Sequence, residues 1–358
     1  MPAIPILAIS VGDPNGIGVE IILKTFSDTE SFAHCIPVVY ADLEFMEAQQ
    51  QRFKTTAPLR PLTDTLKKGR LYVASIWDKP PNICYGEQST LAGQAAFTSL
   101  EAAVQSVKEK KADALVTAPI HKAAIKSDAF PFAGHTHYLA AKWGGKALMI
   151  LAHEQLRVAL ATDHIPLKDV SKQVNKSLLN EKLRQLHAAL SNDYGCKSPK
   201  IAVLGLNPHA GDQGVIGRED DDILSPVVTD LTRQGLHIAG PYAADGFFGQ
   251  QQYKKVDAVL SCYHDQGLVG FKALAFGKGV NFTAGLPFVR TSPDHGTAFD
   301  IAGKGVASET SMRNAIYLAI DVYKSRMSHK ESLRNSLEVR PPKEKHKEAT
   351  KHKGLKKN

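Results

Sequence analysis

Cysteine is scarce and scattered in this chain. Its 358 residues include four, Cys35, Cys84, Cys196 and Cys262, and no two form a CxxC pair. That spacing excludes a disulfide framework and a thiolate zinc site, and it suits a reducing cytoplasm with most of the four as buried structural thiols. Long apolar runs are also missing, since none reaches the length that spans a bilayer, and no membrane partner is expected. The apolar start MPAIPILAISVGDPNG lacks a basic leader and a small-residue cleavage site, so it reads as a first β-strand rather than a signal peptide. Several catalytic signatures are absent: GxGxxG, the Walker A loop, the GxSxG elbow and the HExxH helix. A Rossmann cofactor loop, a P-loop, a serine-hydrolase elbow and the common metalloprotease site are thereby disfavoured.

The net charge of +8 does not point to nucleic acid. From Lys324 to Asn358 there are twelve Lys or Arg and four Asp or Glu, which gives +8, and the rest of the chain carries 32 of each sign. The body is neutral and the excess sits in the tail. Residues 328–358 are polar and Lys-rich, and are expected to be a disordered, solvated tail.

The 43% hydrophobic residues are enough for a sizeable core. Ile6–Val11, Ala114–Thr117, Ile201–Leu206 and Val256–Cys262 read as buried strands, each ending in a polar or Gly/Pro-rich turn. Thr90–Lys110 reads as a helix with Leu91, Ala95, Leu100, Ala103 and Val107 on its apolar side. Leu178–Leu190 and Ser308–Lys324 are further helices. Leu148–Ala152 and Val158–Thr162 flank a polar turn and predict a hairpin. Strands alternating with helices predict an α/β fold built on a mainly parallel sheet.

Ligands of open α/β sheets bind beyond strand ends, and three histidines lie there: His164 in ATDHIPL, His209 in GLNPHAGD and His264 in SCYHDQG. Imidazoles from three separate strand ends can converge on one divalent cation and leave positions open for substrate. Solvated loop histidines are the plainer alternative. Asp212, Asp245 and Asp265 suit either orientation of those rings or ordinary turn and cap roles. A second group suits anions: His135 and Thr136 in GHTHYLA, Lys272, Asn281, and Arg290 in FVRTSPDHG. Gly12, Gly16 and Gly18 of VGDPNGIGVE could let backbone approach a ligand or simply form a tight turn. His121 and Lys122 of VTAPIHKAA are placed at the border of the cleft.

The ordered set GDPNGIGVE, VTAPIHKAA, GHTHYLA, DHIPL, GLNPHAGD, YHDQGL and GVNFTAGLPFVRTSPDHGTAFDIAGKG, from about residue 5 to 325, resembles the 4-hydroxythreonine-4-phosphate dehydrogenase family of pyridoxal phosphate (vitamin B6) biosynthesis. The resemblance implies an isocitrate/isopropylmalate-dehydrogenase-like α/β fold without a Rossmann fingerprint. Two interleaved subdomains, roughly 1–130 plus 280–327 and 131–279, would flank a central cleft. It places the metal ligands (Zn²⁺, Mg²⁺ or Co²⁺) at His164, His209 and His264, and the substrate contacts at His135, Thr136, Lys272, Asn281 and Arg290. It further implies NAD or NADP as cofactor, with no residues assigned to it, and a homodimer whose active site is shared between subunits. Asp163 departs from the family, which carries a small polar residue such as Thr before the first metal histidine.

The implied reaction oxidises the C3 hydroxyl of 4-phosphooxy-L-threonine to 2-amino-3-oxo-4-phosphooxybutanoate. This β-keto acid loses CO₂ to give 3-amino-2-oxopropyl phosphate, a precursor of pyridoxine 5′-phosphate. Lys272, Asp245 or a metal-bound water would take the proton. A related dehydrogenase of 4-phosphothreonate, 4-phosphoerythronate or a cyclic dihydrodiol is the alternative within the family. A three-histidine metal hydrolase is the alternative outside it.

Overall fold

The computed structural model describes residues 4–335. Among these residues twelve strands form one sheet: β1 (Ile6–Ser10), β2 (Ile36–Ala41), β3 (Leu59–Pro61), β4 (Leu71–Ser75), β5 (Ala114–Thr117), β6 (Leu148–His153), β7 (Leu156–Leu160), β8 (Lys200–Leu204), β9 (His237–Tyr242), β10 (Ala258–Ser261), β11 (Val280–Ala284) and β12 (Val289–Pro293). Their spatial order is β3-β4-β2-β1-β5-β12-β11-β6-β7-β10-β8-β9. One parallel block runs from β3 to β12 and another from β7 to β9. The antiparallel pairs β12–β11, β11–β6 and β6–β7 join them. Helices cover both faces, as sheets with buried strands require.

The two-residue alternation of a strand decides what each face carries. On β1, Leu7 and Ile9 enter one core layer and Ala8 the opposite one. At the antiparallel centre, Ile150, Phe282 and Val289 pack in the layer that also holds Met312, Ala315 and Ile316 of the long helix Thr310–Arg334. Thr291 of β12 donates its hydroxyl to Ala315 O at 2.7 Å. The other face of the same strands carries Met149, Leu151, Asn281, Thr283, Arg290 and Ser292. The register sets Asn281 opposite both Leu151 and Ser292. Polar residues inside otherwise apolar strands therefore meet on one side of the sheet centre.

The expected strands, helices and hairpin are present, with two differences. Leu91 is exposed and Ala95 only partly covered; the helix Thr90–Lys108 buries Ala92, Ala96, Leu100, Ala103, Val104 and Val107 instead. Leu91 stands in the first turn of this helix. The last helix continues to Arg334 rather than ending at Lys324. Residues 328–334 of the expected tail are thus helical, extending the core-anchored turns with ordinary helix formers. The remainder, 336–358, lies outside the described residues.

Candidate active site

A cavity of about 280 Å³ opens against the polar face of β6, β11 and β12. His135, Thr136, Lys122, His164, His264, Asn281 and Arg290 all contribute to its wall. His164 follows β7, and His264 is the first residue of the helix His264–Ala275. Their rings stand 5.6 Å apart, centroid to centroid. His264 Nδ1 is 2.7 Å from Asp265 Oδ1, which leaves Nε2 for a ligand. Asp163 accepts from the His164 backbone N–H at 2.6 Å, and its Oδ2 lies 3.9 Å from the ring Nδ1. The hydrogen bond from His164 and the positive field around it hold the Asp163 carboxyl well below the usual carboxylate range, against the opposing effect of burial. His164 Nε2 faces a cation already, the Lys122 ammonium at 3.3 Å.

Arg290 is the most constrained group of the wall. It is 2% exposed. Its Nη2 and Nε donate to Thr117 Oγ1 at 2.8 and 3.2 Å, and Nη1 donates to Thr283 Oγ1 at 3.0 Å. No carboxylate pairs with it among the described residues. Burial pushes its guanidinium down to about 9. Beside it, burial and then the charges of Arg290 and Lys122 push His135 well below the ordinary histidine value, which keeps the imidazole neutral. His135 Nε2 and Asn281 Oδ1 are buried and have no hydrogen-bond partner; Asn281 Nδ2 reaches only Met149 Sδ at 3.3 Å. A pocket with an unpaired buried cation and orphaned polar atoms is built for an anionic, hydrogen-bonding ligand.

Not every anticipated side chain joins this cavity. Lys272 stands behind it, with its ammonium 2.6 Å from Asp294 O and 3.1 Å from Asp294 Oδ2. Asp294 itself lines the wall. His209 and Asp245 line an adjoining cavity together with Tyr263 and Asp265. Among the described residues, no three His, Cys, Asp or Glu side chains gather closely enough to hold one cation. The chain thus brings His164 and His264 together and keeps His209 apart. The loop that carries His209 is strained: His209, Ala210, Asp212 and Gln213 all have positive φ between 45° and 55°. It is fixed from below by buried Asp220, whose carboxylate accepts from Leu206 N at 2.8 Å and from Asn207 N and Nδ2 at 3.0 Å each. Such strain persists only where surrounding structure imposes it, and it concentrates at functional loops.

The N-terminal glycines answer to packing rather than to a ligand. Gly12 has φ +69°, and a Cβ there would meet Pro119 O at 2.2 Å. A Cβ on Gly18 would meet Val11 O at the same distance. The start of the helix Gly18–Thr25 is covered, because Ile17 N donates to Thr297 O at 3.1 Å.

Two polar groups escaped the sequence reading. His295 Nε2 and Asp294 Oδ1 line the cavity's neighbourhood, buried and without partners. The PDHG stretch that holds them was already singled out for Arg290, and its own titratable pair was the available signal.

Comparison with known proteins identifies the family. A protein from Bacteroides thetaiotaomicron named 4-hydroxythreonine-4-phosphate dehydrogenase is 44% identical over 92% of each chain. One of the same name from Sulfurihydrogenibium is 42% identical over 88% of this chain and 97% of its own. The crystal structure of the Klebsiella pneumoniae 4-hydroxythreonine-4-phosphate dehydrogenase superposes with a TM-score of 0.77 at 34% identity, covering 89% of this chain and 98% of that one. A terephthalate 1,2-cis-dihydrodiol dehydrogenase from Burkholderia xenovorans is more distant, with a TM-score of 0.60, 26% identity, and coverage of 88% and 98%. Residues 33–319 match the family described as pyridoxal phosphate biosynthetic protein PdxA. Matched by that family's model over most of its length and by relatives of this identity and coverage, the chain belongs to the PdxA family.

Proposed function

We propose that this chain oxidises 4-hydroxythreonine 4-phosphate with NAD or NADP and a divalent cation. The observation that carries the reading is Arg290, a buried guanidinium without a counter-ion on the same cavity wall as the His164–His264 pair. An ionised substrate would complete the pairing that the fold leaves open.

The residues fit a cation. Two imidazoles face each other, each beside a carboxylate that can orient it, and one ring nitrogen already accepts from an ammonium. His164, His264 and His209 would hold the metal. His209 lies in the neighbouring cavity, which suits a homodimer in which it and the His164–His264 pair come from different chains. Two exposed apolar side chains support such an interface: Val269 on the wall of the His209 cavity and Leu167 in a hollow shared with His164 and His264, each more than two-thirds exposed. The nicotinamide fits as well: Asp294 Oδ1 is a free acceptor, and His295, whose Nδ1 donates to Gly296 O, leaves Nε2 as a second, so both can accept from the carboxamide N–H groups.

When bound, the cation supplies Lewis acidity to the substrate hydroxyl and to the carbonyl formed from it, and NAD or NADP supplies the hydride acceptor. The protein does the rest. Arg290, Asn281 and neutral His135 bind and orient the ionised substrate, fixing the reacting carbon. Met149, Leu151 and Leu268 keep water from the centre of the cavity. Asp245, beside His209, would receive the hydroxyl proton. Lys272 is held by Asp294 and positions that wall. The 3-oxo acid so formed would lose CO₂ by cleavage of its C1–C2 bond, leaving an enol that reprotonates to the aminoketone phosphate.

The dihydrodiol dehydrogenase relative motivates a second reading, an unphosphorylated diol as substrate. A panel of 4-hydroxythreonine 4-phosphate, 4-phosphothreonate and a cyclic dihydrodiol, run with both nicotinamide cofactors and several divalent metals, decides among them. The first should have the highest kcat/KM, and preference for the dihydrodiol would reverse the assignment.

A further inference from the structure

We propose that Lys122 is a substrate ligand whose ammonium, with Arg290 and the N-terminus of the helix His135–Trp143, holds the phosphate of the substrate. The inference rests on the dehydrogenase reading above, and it adds a residue and assigns an end of the substrate to it.

The charges lining the cavity carry the argument. Two carboxylates and two permanent cations face it: Asp163, Asp294, Lys122 and Arg290. Asp294 is paired with Lys272, and Asp163 accepts from the His164 backbone N–H. Neither Lys122 nor Arg290 makes an ion pair among the described residues. The wall therefore offers two cations that no carboxylate pairs with, a set that suits a phosphate of about −1.5 to −2.

Both cations line the same cavity, whose wall also holds Gly134, His135 and Thr136. The Lys122 stem passes over Gly134, where a Cβ would be 3.8 Å from Lys122 Cε. Gly134 is the N-cap of a nine-residue helix and has no side chain to cap it; the first backbone bond of the helix runs from Tyr138 N to Gly134 O. The preceding N–H groups have no intrahelical partner and point out of the helix start, an arrangement that binds phosphate. Buried, unpaired Arg290 independently marks the same place as an anion site. Lys122 Nζ rests 3.3 Å from His164 Nε2 on an exposed, flexible stem, and can turn to the anion when it arrives.

Isothermal titration of inorganic phosphate into the full-length wild type, Lys122→Met and Lys122→Arg tests this. Loss of a charge-assisted contact should weaken phosphate binding about 10- to 100-fold in Lys122→Met, with most of it regained in Lys122→Arg. Because Lys122 is exposed, circular dichroism melts should be the same for all three. Unchanged phosphate affinity in Lys122→Met, or no phosphate binding by the wild type, overturns the proposal. Phosphate binding that depends on Lys122 in a protein without dehydrogenase turnover would sustain it while removing the substrate reading.

Discussion

Replacing Arg290 by Met should separate the roles of stability and binding at this site. In the folded chain burial alone pushes the guanidinium down to about 9, and at about 1.4 kcal/mol per unit below the ordinary arginine value that is roughly 5 kcal/mol of unfavourable burial of the charge as an upper bound. The group stays charged at neutral pH, so the ligand-free protein carries this cost; it is complete below about pH 9 and would diminish only as pH climbs above that toward the ordinary arginine value. Hydrogen bonds to Thr117 and Thr283 offset part of it. Methionine fills similar space without charge, so Arg290→Met should leave ligand-free stability unchanged or raise it by about 1–4 kcal/mol. Substrate binding should suffer in the opposite sense. A bidentate charge-assisted contact is worth about 3–5 kcal/mol, so kcat/KM should fall by roughly two to four orders of magnitude. Differential scanning fluorimetry with and without phosphate, alongside initial rates, reads both. Clear destabilisation of the ligand-free variant together with normal turnover would refute the view that this charge awaits an anion.

Mixing inactive variants tests the shared site. With His164→Ala and His209→Ala chains unfolded and refolded together, half the dimers are mixed and each has one intact site, so activity should recover to about a quarter of wild type; no recovery means that all three ligands come from one chain. Gly18→Ala places a methyl 2.2 Å from Val11 O, and the helix cannot move because Thr297 O holds its start; thermal melts should show a loss of about 3 kcal/mol or more. The His135 imidazole should stay neutral by NMR as pH falls through the ordinary histidine value of 6.5. The unfolded chain binds that proton and the native one does not, so stability is complete above pH 6.5 and declines below it, a decline that His135→Gln should reduce.

The architecture was legible where one periodicity dominated. Ala114–Thr117 is a strand with the predicted bounds because four apolar or β-branched residues between turn signals suit burial on both faces. Strands β11 and β12 were harder to see, since Asn281, Thr283, Arg290 and Ser292 interrupt their apolar pattern; those interruptions are the site itself. Two of the strand-end histidines, His164 and His264, line the central cavity, but sequence spacing holds no information about distance, and only the fold shows His209 in a separate one. Lys272 read as an anion ligand because nothing in GFKALAF reveals that Asp294, 22 residues later, takes its ammonium. The strain around His209 and the role of Asp220 beneath it depend on backbone angles and long-range hydrogen bonds, which no local pattern encodes.

The central claim is that the cavity between His164, His264 and Arg290 oxidises a phosphorylated hydroxy-amino acid. Its most direct test is the formation of reduced nicotinamide by purified protein given 4-hydroxythreonine 4-phosphate and NAD or NADP, before and after chelation and with metal restored. Absorbance should rise, stop with chelator and resume with divalent metal, whereas no reduced nicotinamide under any metal and cofactor combination would contradict the account.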